Sequence, residues 1–208
     1  MSVDLALPPG LDRAPARLDE LYARMAEMEP PRPGLGRFVP GEGPVGAPIL
    51  FVGEQPGDQE DIQGRPFVGP AGKLLDRALG DAGVPRDRAY VTNAVKRFHF
   101  TQRGTRRIHG KPTAGDIRKE RWWLDKEIQL VGPRLVVALG ATAIQALAGK
   151  ALPVGRNRGP IRWPGDRDGF VTVHPSGLLR LQDDDERHRA YEAFVGDLQR
   201  IGELAQAT

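Results

Sequence analysis

Four short segments of this 208-residue chain carry side chains able to do chemistry together. The first is Gly53-Glu54-Gln55-Pro56-Gly57-Asp58-Gln59-Glu60-Asp61. Glycine and proline bend the backbone there, so amides and a carboxylate can face one ligand. Spacing alone favours an ordinary acidic turn. The second is Gly64-Arg65-Pro66-Phe67-Val68-Gly69-Pro70-Ala71-Gly72. Phe67 in a glycine-rich loop just ahead of a helix offers a stacking face to a planar ligand. A loop residue tucked against its own domain is the commoner case. The third is His174-Pro175-Ser176, where a rigid proline holds an imidazole able to donate to developing negative charge. A histidine that only caps the next helical turn has the same spacing. The fourth is Arg103-Gly104-Thr105-Arg106-Arg107-Ile108-His109-Gly110-Lys111, which reads as phosphate binding, with His109 as one more polar contact.

Alternating strands and helices must position these segments. A helix is predicted over Leu18–Met28, then a Pro/Gly-rich surface loop from Pro30 to Pro48. Ile49–Val52 is a short continuous apolar run ending at Gly53, the pattern of a buried parallel strand. Pro70 opens a helix with Leu74, Leu75, Ala78 and Leu79 on one face, closed by Gly83 and Pro85. Ala89–Val95 reads as a second strand. The basic segment Lys96–Thr113 has no clear periodicity and reads as a loop. Thr113 with Asp116 forms a capping signal for a helix that ends at Gly132-Pro133. Leu135–Leu139 is a third strand, Ala141–Ala148 a short helix and Phe170–Val173 a fourth strand. A last helix begins near Asp183. The order predicts a three-layer α/β/α sandwich around a short, mainly parallel four-stranded sheet. Ligands then belong beyond the carboxyl ends of the strands, where Gly53-Glu54-Gln55, Asn93 and His174-Pro175-Ser176 lie.

Composition sets the bounds. One domain over residues 1–208 suits this length. Charged residues are 27% and hydrophobic ones 39%, as in a globular chain. There is no apolar run of membrane-spanning length and no secretory pattern at the start, so a cytoplasmic location is expected. Without cysteine there is no disulfide, thiolate nucleophile or ordinary iron–sulfur site. Between Lys96 and Lys126, ten Lys/Arg stand against three Asp/Glu, although the whole chain carries only +3. That imbalance is equally a nucleic-acid surface or a solvated loop.

Taken together and in order, GEQPGDQED, GRPFVGPAG, the Asn93 strand, RRIH and HPS resemble the uracil-DNA glycosylase superfamily. The likeness is to its family-4-like branch, and within that to the class called UdgX, over about Ile49 to Arg180. The resemblance implies cleavage of the bond between deoxyribose C1′ and uracil N1, on a base drawn out of the stack. His174 would then hydrogen-bond the uracil carbonyl, Asn93 read the base edge and Phe67 stack on the ring. The backbone at Gly53 and Gln55 would contact the base. Glu54 would stabilise the sugar cation, orient water or tune a nearby histidine. His109 would trap C1′ itself, leaving a covalent protein–DNA adduct in a single-turnover reaction. Arg106 and Arg107 would hold the basic loop and bind phosphates with Lys111, while Ser176 and Arg180 fall in the segment that contacts the DNA backbone.

The chain also departs from that family. Its members usually hold a four-cysteine iron–sulfur cluster, which this chain cannot ligate with cysteine. Ala16, Asp19 and Glu120 stand near the ligand positions, so a cluster-free member with no metal or other cofactor is expected. Residues 1–46 and the Trp122-Trp123 pair would fill the space. Gly177 follows His-Pro-Ser where serine is common. The expected partner is uracil-containing DNA, single-stranded for preference, bound by a monomer. The alternatives are a hydrolytic glycosylase that turns over and a non-catalytic binder of uracil or damaged DNA. An RNA-binding module fits less well, since no aromatic-rich strand pair is evident.

Overall fold

The computed structural model of the protein describes residues 7, 8 and 11–207. In chain order, helix α1 (Leu18–Met28) leads to strand β1 (Leu35–Phe38), β2 (Ile49–Gly53), α2 (Asp58–Gln63) and α3 (Pro70–Asp81). Then come β3 (Ala89–Asn93), β4 (Arg97–Arg103), β5 (Arg106–His109) and α4 (Ala114–Val131). The chain continues through β6 (Leu135–Leu139), α5 (Ala141–Ala148), α6 (Val154–Asn157), β7 (Gly159–Trp163) and β8 (Arg167–Thr172). It finishes with α7 (Pro175–Leu179) and α8 (Asp184–Gln206).

The central sheet has the order β3-β2-β6-β8-β7. Strands β3, β2, β6 and β8 are parallel, and β7 is an antiparallel edge. Every residue of β2, β3 and β6 is buried, which explains the unbroken apolar sequences of β2 and β6. Side chains alternate between two cores. Leu50 and Val52 meet Ile117, Leu124 and Ile128 of α4 and Ile144 and Leu147 of α5. Ile49 and Phe51 meet Leu75 and Leu79 of α3 and Phe194, Leu198 and Ile201 of α8. A helical layer on each face gives the α/β/α sandwich.

Strand β7 adds a fifth strand to the four expected. Its sequence, GPIRW, holds a proline and carries no hydrophobic run, as an edge strand allows. Trp163 nevertheless anchors it, donating from Nε1 to the Val136 carbonyl at 2.9 Å. Gly169 leaves room for that ring, since a Cβ there would lie 2.1 Å from Trp163 Nε1.

The basic segment read as a loop is instead a β-hairpin. Strands β4 and β5 pair antiparallel, and β1 pairs with β4, giving a second sheet of order β1-β4-β5. Gly104, at φ +58°, makes the tight turn. Phe98 and Phe100 stack on one side, centroids 5.3 Å apart, with the Arg107 guanidinium over both rings. The period of two was present in Arg97-Phe98-His99-Phe100, but the charges around it hid the pattern. The acidic turn after Gly57 is likewise a short helix, α2. The Pro30–Pro48 stretch contains β1.

A third core lies where α1 crosses α4. Leu21, Met25 and Trp123 are buried there, with Tyr22, Phe38 and Trp122 packed against them. Beside it lies a buried ion pair between Lys96 and Glu127. Thr92 donates to both Glu127 oxygens at 3.0 Å, and Tyr22 of α1 reaches the same carboxylate and the Tyr90 hydroxyl. This network ties α1 to β3, α4 and the start of the hairpin. A wholly buried charge is tolerated only while its partner is present. Replacing Glu127 with Ala strands the Lys96 ammonium and is predicted to cost about 3–5 kcal/mol of stability. Urea unfolding followed by circular dichroism measures it.

Candidate active site

The carboxyl ends of β2, β3, β6 and β8 gather the predicted residues in one place. Gly53 closes β2 between two of them. A Cβ on Gly53 would lie 2.5 Å from Asn93 Oδ1 and 2.7 Å from Phe67 Cζ. The glycine therefore lets the amide of β3 and the ring of the next loop approach the strand end. Phe67 is buried and holds a left-handed backbone, φ +55°. A phenylalanine there costs about 1–3 kcal/mol of strain. Gly72 makes the turn possible, because a Cβ on it would fall 1.7 Å from the Phe67 carbonyl oxygen. Glu60 of α2 pins both ends of the loop, accepting from Gly57 N at 3.0 Å and Gly69 N at 2.7 Å.

His174 follows β8 and caps α7. Its ring lies 6.4 Å from that of Phe67, the two planes inclined at 29°. Gly140, at the end of β6, leaves it room, since a Cβ there would lie 3.0 Å from His174 Cβ. Ser176 N donates to His174 Nδ1 at 3.2 Å, and the Ser176 hydroxyl lies 2.8 Å from the same atom. An accepting Nδ1 places the proton of a neutral ring on Nε2. Burial pushes the imidazole down to about 4, while Glu54 pulls it the other way. At neutral pH His174 is thus an uncharged Nε2–H donor. Capping and donation, alternatives in the sequence, coexist because they use opposite nitrogens.

The hairpin brings His109 to the same strand ends. Gln55, buried after β2, staples the two strands at their base. Its Nε2 donates to Gly110 O at 2.8 Å and His99 O at 3.3 Å, and its Oε1 accepts from His99 N at 3.3 Å. Those backbone partners fix which end of the amide is nitrogen. That nitrogen lies 3.1 Å from His109 Nε2. Glu54 Oε1 is 3.7 Å from the same ring atom. His109 remains half exposed.

Arg107 holds the hairpin to α2. It donates to Asp58 Oδ1 at 2.6 Å and pairs with Asp61, which also accepts from Arg37 N at 2.6 Å. It is partly buried and engaged within the fold, whereas Arg106, Lys111 and Arg180 are exposed. Ser176 is turned onto His174. Sequence reasoning gave no role to Glu60, Asp61 or Thr142. Thr142 was discoverable, because Gly140-Ala141-Thr142 follows β6 and obeys the same strand-end rule as the other three segments.

The iron–sulfur cluster implied by the resemblance does not fit these residues. No cysteine is available to donate a thiolate. Asp19 is bonded to Arg17. Glu120 turns a buried oxygen inward with no hydrogen-bond partner among the described residues, and burial pushes its carboxyl up to about 7. The space between α1 and α4 holds Leu21, Met25 and Trp123.

The state of His174 predicts a pH effect. The folded ring binds its proton near 4, against an ordinary 6.5 in the unfolded chain. The unfolded state therefore holds more protons between those values, and stability falls as pH drops from 6.5 towards 4. The loss attributable to His174 is about 3 kcal/mol and is complete below its folded midpoint. Nitrogen-15 NMR of the imidazoles checks this directly. His174 should show the Nε2–H tautomer at pH 6 and no protonation until well below it.

The family described as "Uracil DNA glycosylase superfamily" matches residues 40–199. The chain is similar to a Type-4 uracil-DNA glycosylase of Thermotoga maritima, 38% identical over 156 residues, 74% of this chain and 78% of that one. A Type-4 uracil-DNA glycosylase of Archaeoglobus fulgidus is 32% identical over 175 residues, 80% of this chain and 81% of the relative. The chain belongs to the uracil DNA glycosylase superfamily.

Proposed function

We propose that this protein excises uracil from DNA and remains covalently attached to the abasic sugar through His109. The observation that carries the reading is the placement of His109. Its Nε2 lies beside the Gln55 amide nitrogen at 3.1 Å and the Glu54 carboxylate at 3.7 Å, at the strand ends where Asn93, Phe67 and His174 meet.

The chemistry follows the charges. Breaking the bond from C1′ to N1 leaves its electron pair on uracil and positive charge on the sugar. The Nε2–H of His174 donates to the uracil carbonyl where negative charge grows. Asn93 matches O4 and N3–H with one amide, and cytosine presents the reverse pattern. Phe67 stacks on the ring. Glu54, the nearest carboxylate to His109, stabilises the cation. The neutral tautomer of His109 that carries its proton on Nδ1 leaves a lone pair on Nε2. That lone pair forms the bond to C1′. The resulting imidazolium loses its Nδ1 proton to solvent, and solvent protonates the uracil anion. A side chain held in place outcompetes water through effective concentration.

The same reading covers the surroundings. Arg106, Lys111 and Arg180 are exposed cations suited to phosphates. Single-stranded DNA is the preferred substrate, because no base pair has to be broken first. A monomer without a cluster suffices, since α1 is held by packing and by the Glu127 network.

A uracil-containing single-stranded oligonucleotide, heated with the protein in denaturant and run on a denaturing gel, tests the proposal. The expected result is a heat-stable, retarded band that needs both uracil and His109, absent with His109→Ser. His174→Ala should slow its formation by about 10²–10³-fold. Strand breakage after hot alkali without the band would mean hydrolytic turnover. Neither signal would mean a non-catalytic binder.

A further inference from the structure

Thr142 is buried in the first turn of α5, just after the end of β6. Its hydroxyl donates to Glu54 Oε2 at 2.6 Å. The other carboxylate oxygen, Oε1, is the one facing His109 Nε2. The two oxygens of Glu54 therefore have different partners. We propose that Thr142 is a positioning residue, which locks the Glu54 carboxylate so that Oε1 faces His109 and the sugar cation.

Three features support a positioning role. A carboxylate on a short strand-end loop rotates about its side-chain bonds unless one oxygen is held. A hydrogen bond to an ionised acceptor is among the stronger ones and is directional. Thr142 is itself fixed, being buried on a helix that packs into the core through Ile144 and Leu147. The competing explanation is that a buried hydroxyl simply needs a partner and Glu54 supplies one. The two explanations differ in what happens to chemistry when the hydroxyl is removed.

The inference rests on the proposed excision reaction for its kinetic readout, so the experiment has a second readout that does not. Thr142→Val keeps the shape and deletes the hydroxyl. Uracil release and adduct formation are followed in single-turnover time courses at saturating DNA. Thr142→Val should slow them by about ten- to a hundredfold. Thr142→Ser should restore most of the rate. In a Glu54→Gln background Thr142→Val should cost little further, because the group it acts on is already neutral. Melting temperatures of all variants separate these effects from unfolding. A Thr142→Val protein that reacts at the wild-type rate overturns the proposal. So does a loss of equal size in both backgrounds, which would mark Thr142 as merely structural. A wild-type protein that releases no uracil defeats the proposed reaction instead. Thr142 is then judged by crystal structures of wild type and Thr142→Val. Rotation of the Glu54 carboxylate away from His109 in the variant supports positioning, and an unmoved Glu54 contradicts it.

Discussion

The arrangement of the site depends on the staple that Gln55 places across the base of the β4–β5 hairpin. The hairpin belongs to a separate small sheet, so among the described residues no ladder of the central sheet extends into it. One buried amide meets backbone groups of His99 and Gly110 and thereby sets where His109 begins. Asp58 and Asp61 secure the same hairpin from α2 through Arg107. Gln55 and these two aspartates lie within one stretch of sequence, residues 53–61, which also carries Glu54. The strand end that supplies the carboxylate thus also supplies the anchors for the histidine. The relative position of Glu54 and His109 is fixed by short-range geometry rather than by the fold at large.

The pocket side of the site is built by a different device, which is the removal of side chains. Gly53, Gly72 and Gly140 are each hemmed in by Asn93, Phe67 or His174. They allow three functional groups to converge at parallel strand ends. The strained backbone of Phe67 is consistent with this, since a left-handed phenylalanine persists only where its surroundings hold it. Helix α1 lies against the hairpin sheet, where Arg97 of β4 donates to Met25 O. Packing of Leu21, Met25 and Trp123 and the bonds of Tyr22 to Glu127 and Tyr90 tie it to the central sheet.

Much of this was legible in the sequence. Continuous apolar runs gave β2 and β6, and the capping signal at Thr113 is realised, with Asp116 N donating to its hydroxyl. The motif residues Glu54, Phe67, Asn93, His109 and His174 were named from their segments and do come together. What escaped notice had physical reasons. The hairpin hid because the charges around Phe98 and Phe100 masked their alternation. Strand β7 hid because an edge strand needs no apolar run. The role of Arg107 depends on Asp58 and Asp61, partners some 50 residues away, so no local pattern announces it. Thr142 looked like any helix-start threonine, since its hydroxyl finds its partner 88 residues back in the chain.

The central claim is that a bond forms between His109 and the sugar, and intact-mass spectrometry with peptide mapping tests it most directly. After incubation with a short uracil-containing strand, the protein mass should rise by that of the strand less uracil. Digestion should place the added mass on the peptide containing His109, with no more uracil released than there is protein. An unmodified protein mass beside uracil in excess of protein would contradict the account and make the protein a hydrolytic glycosylase.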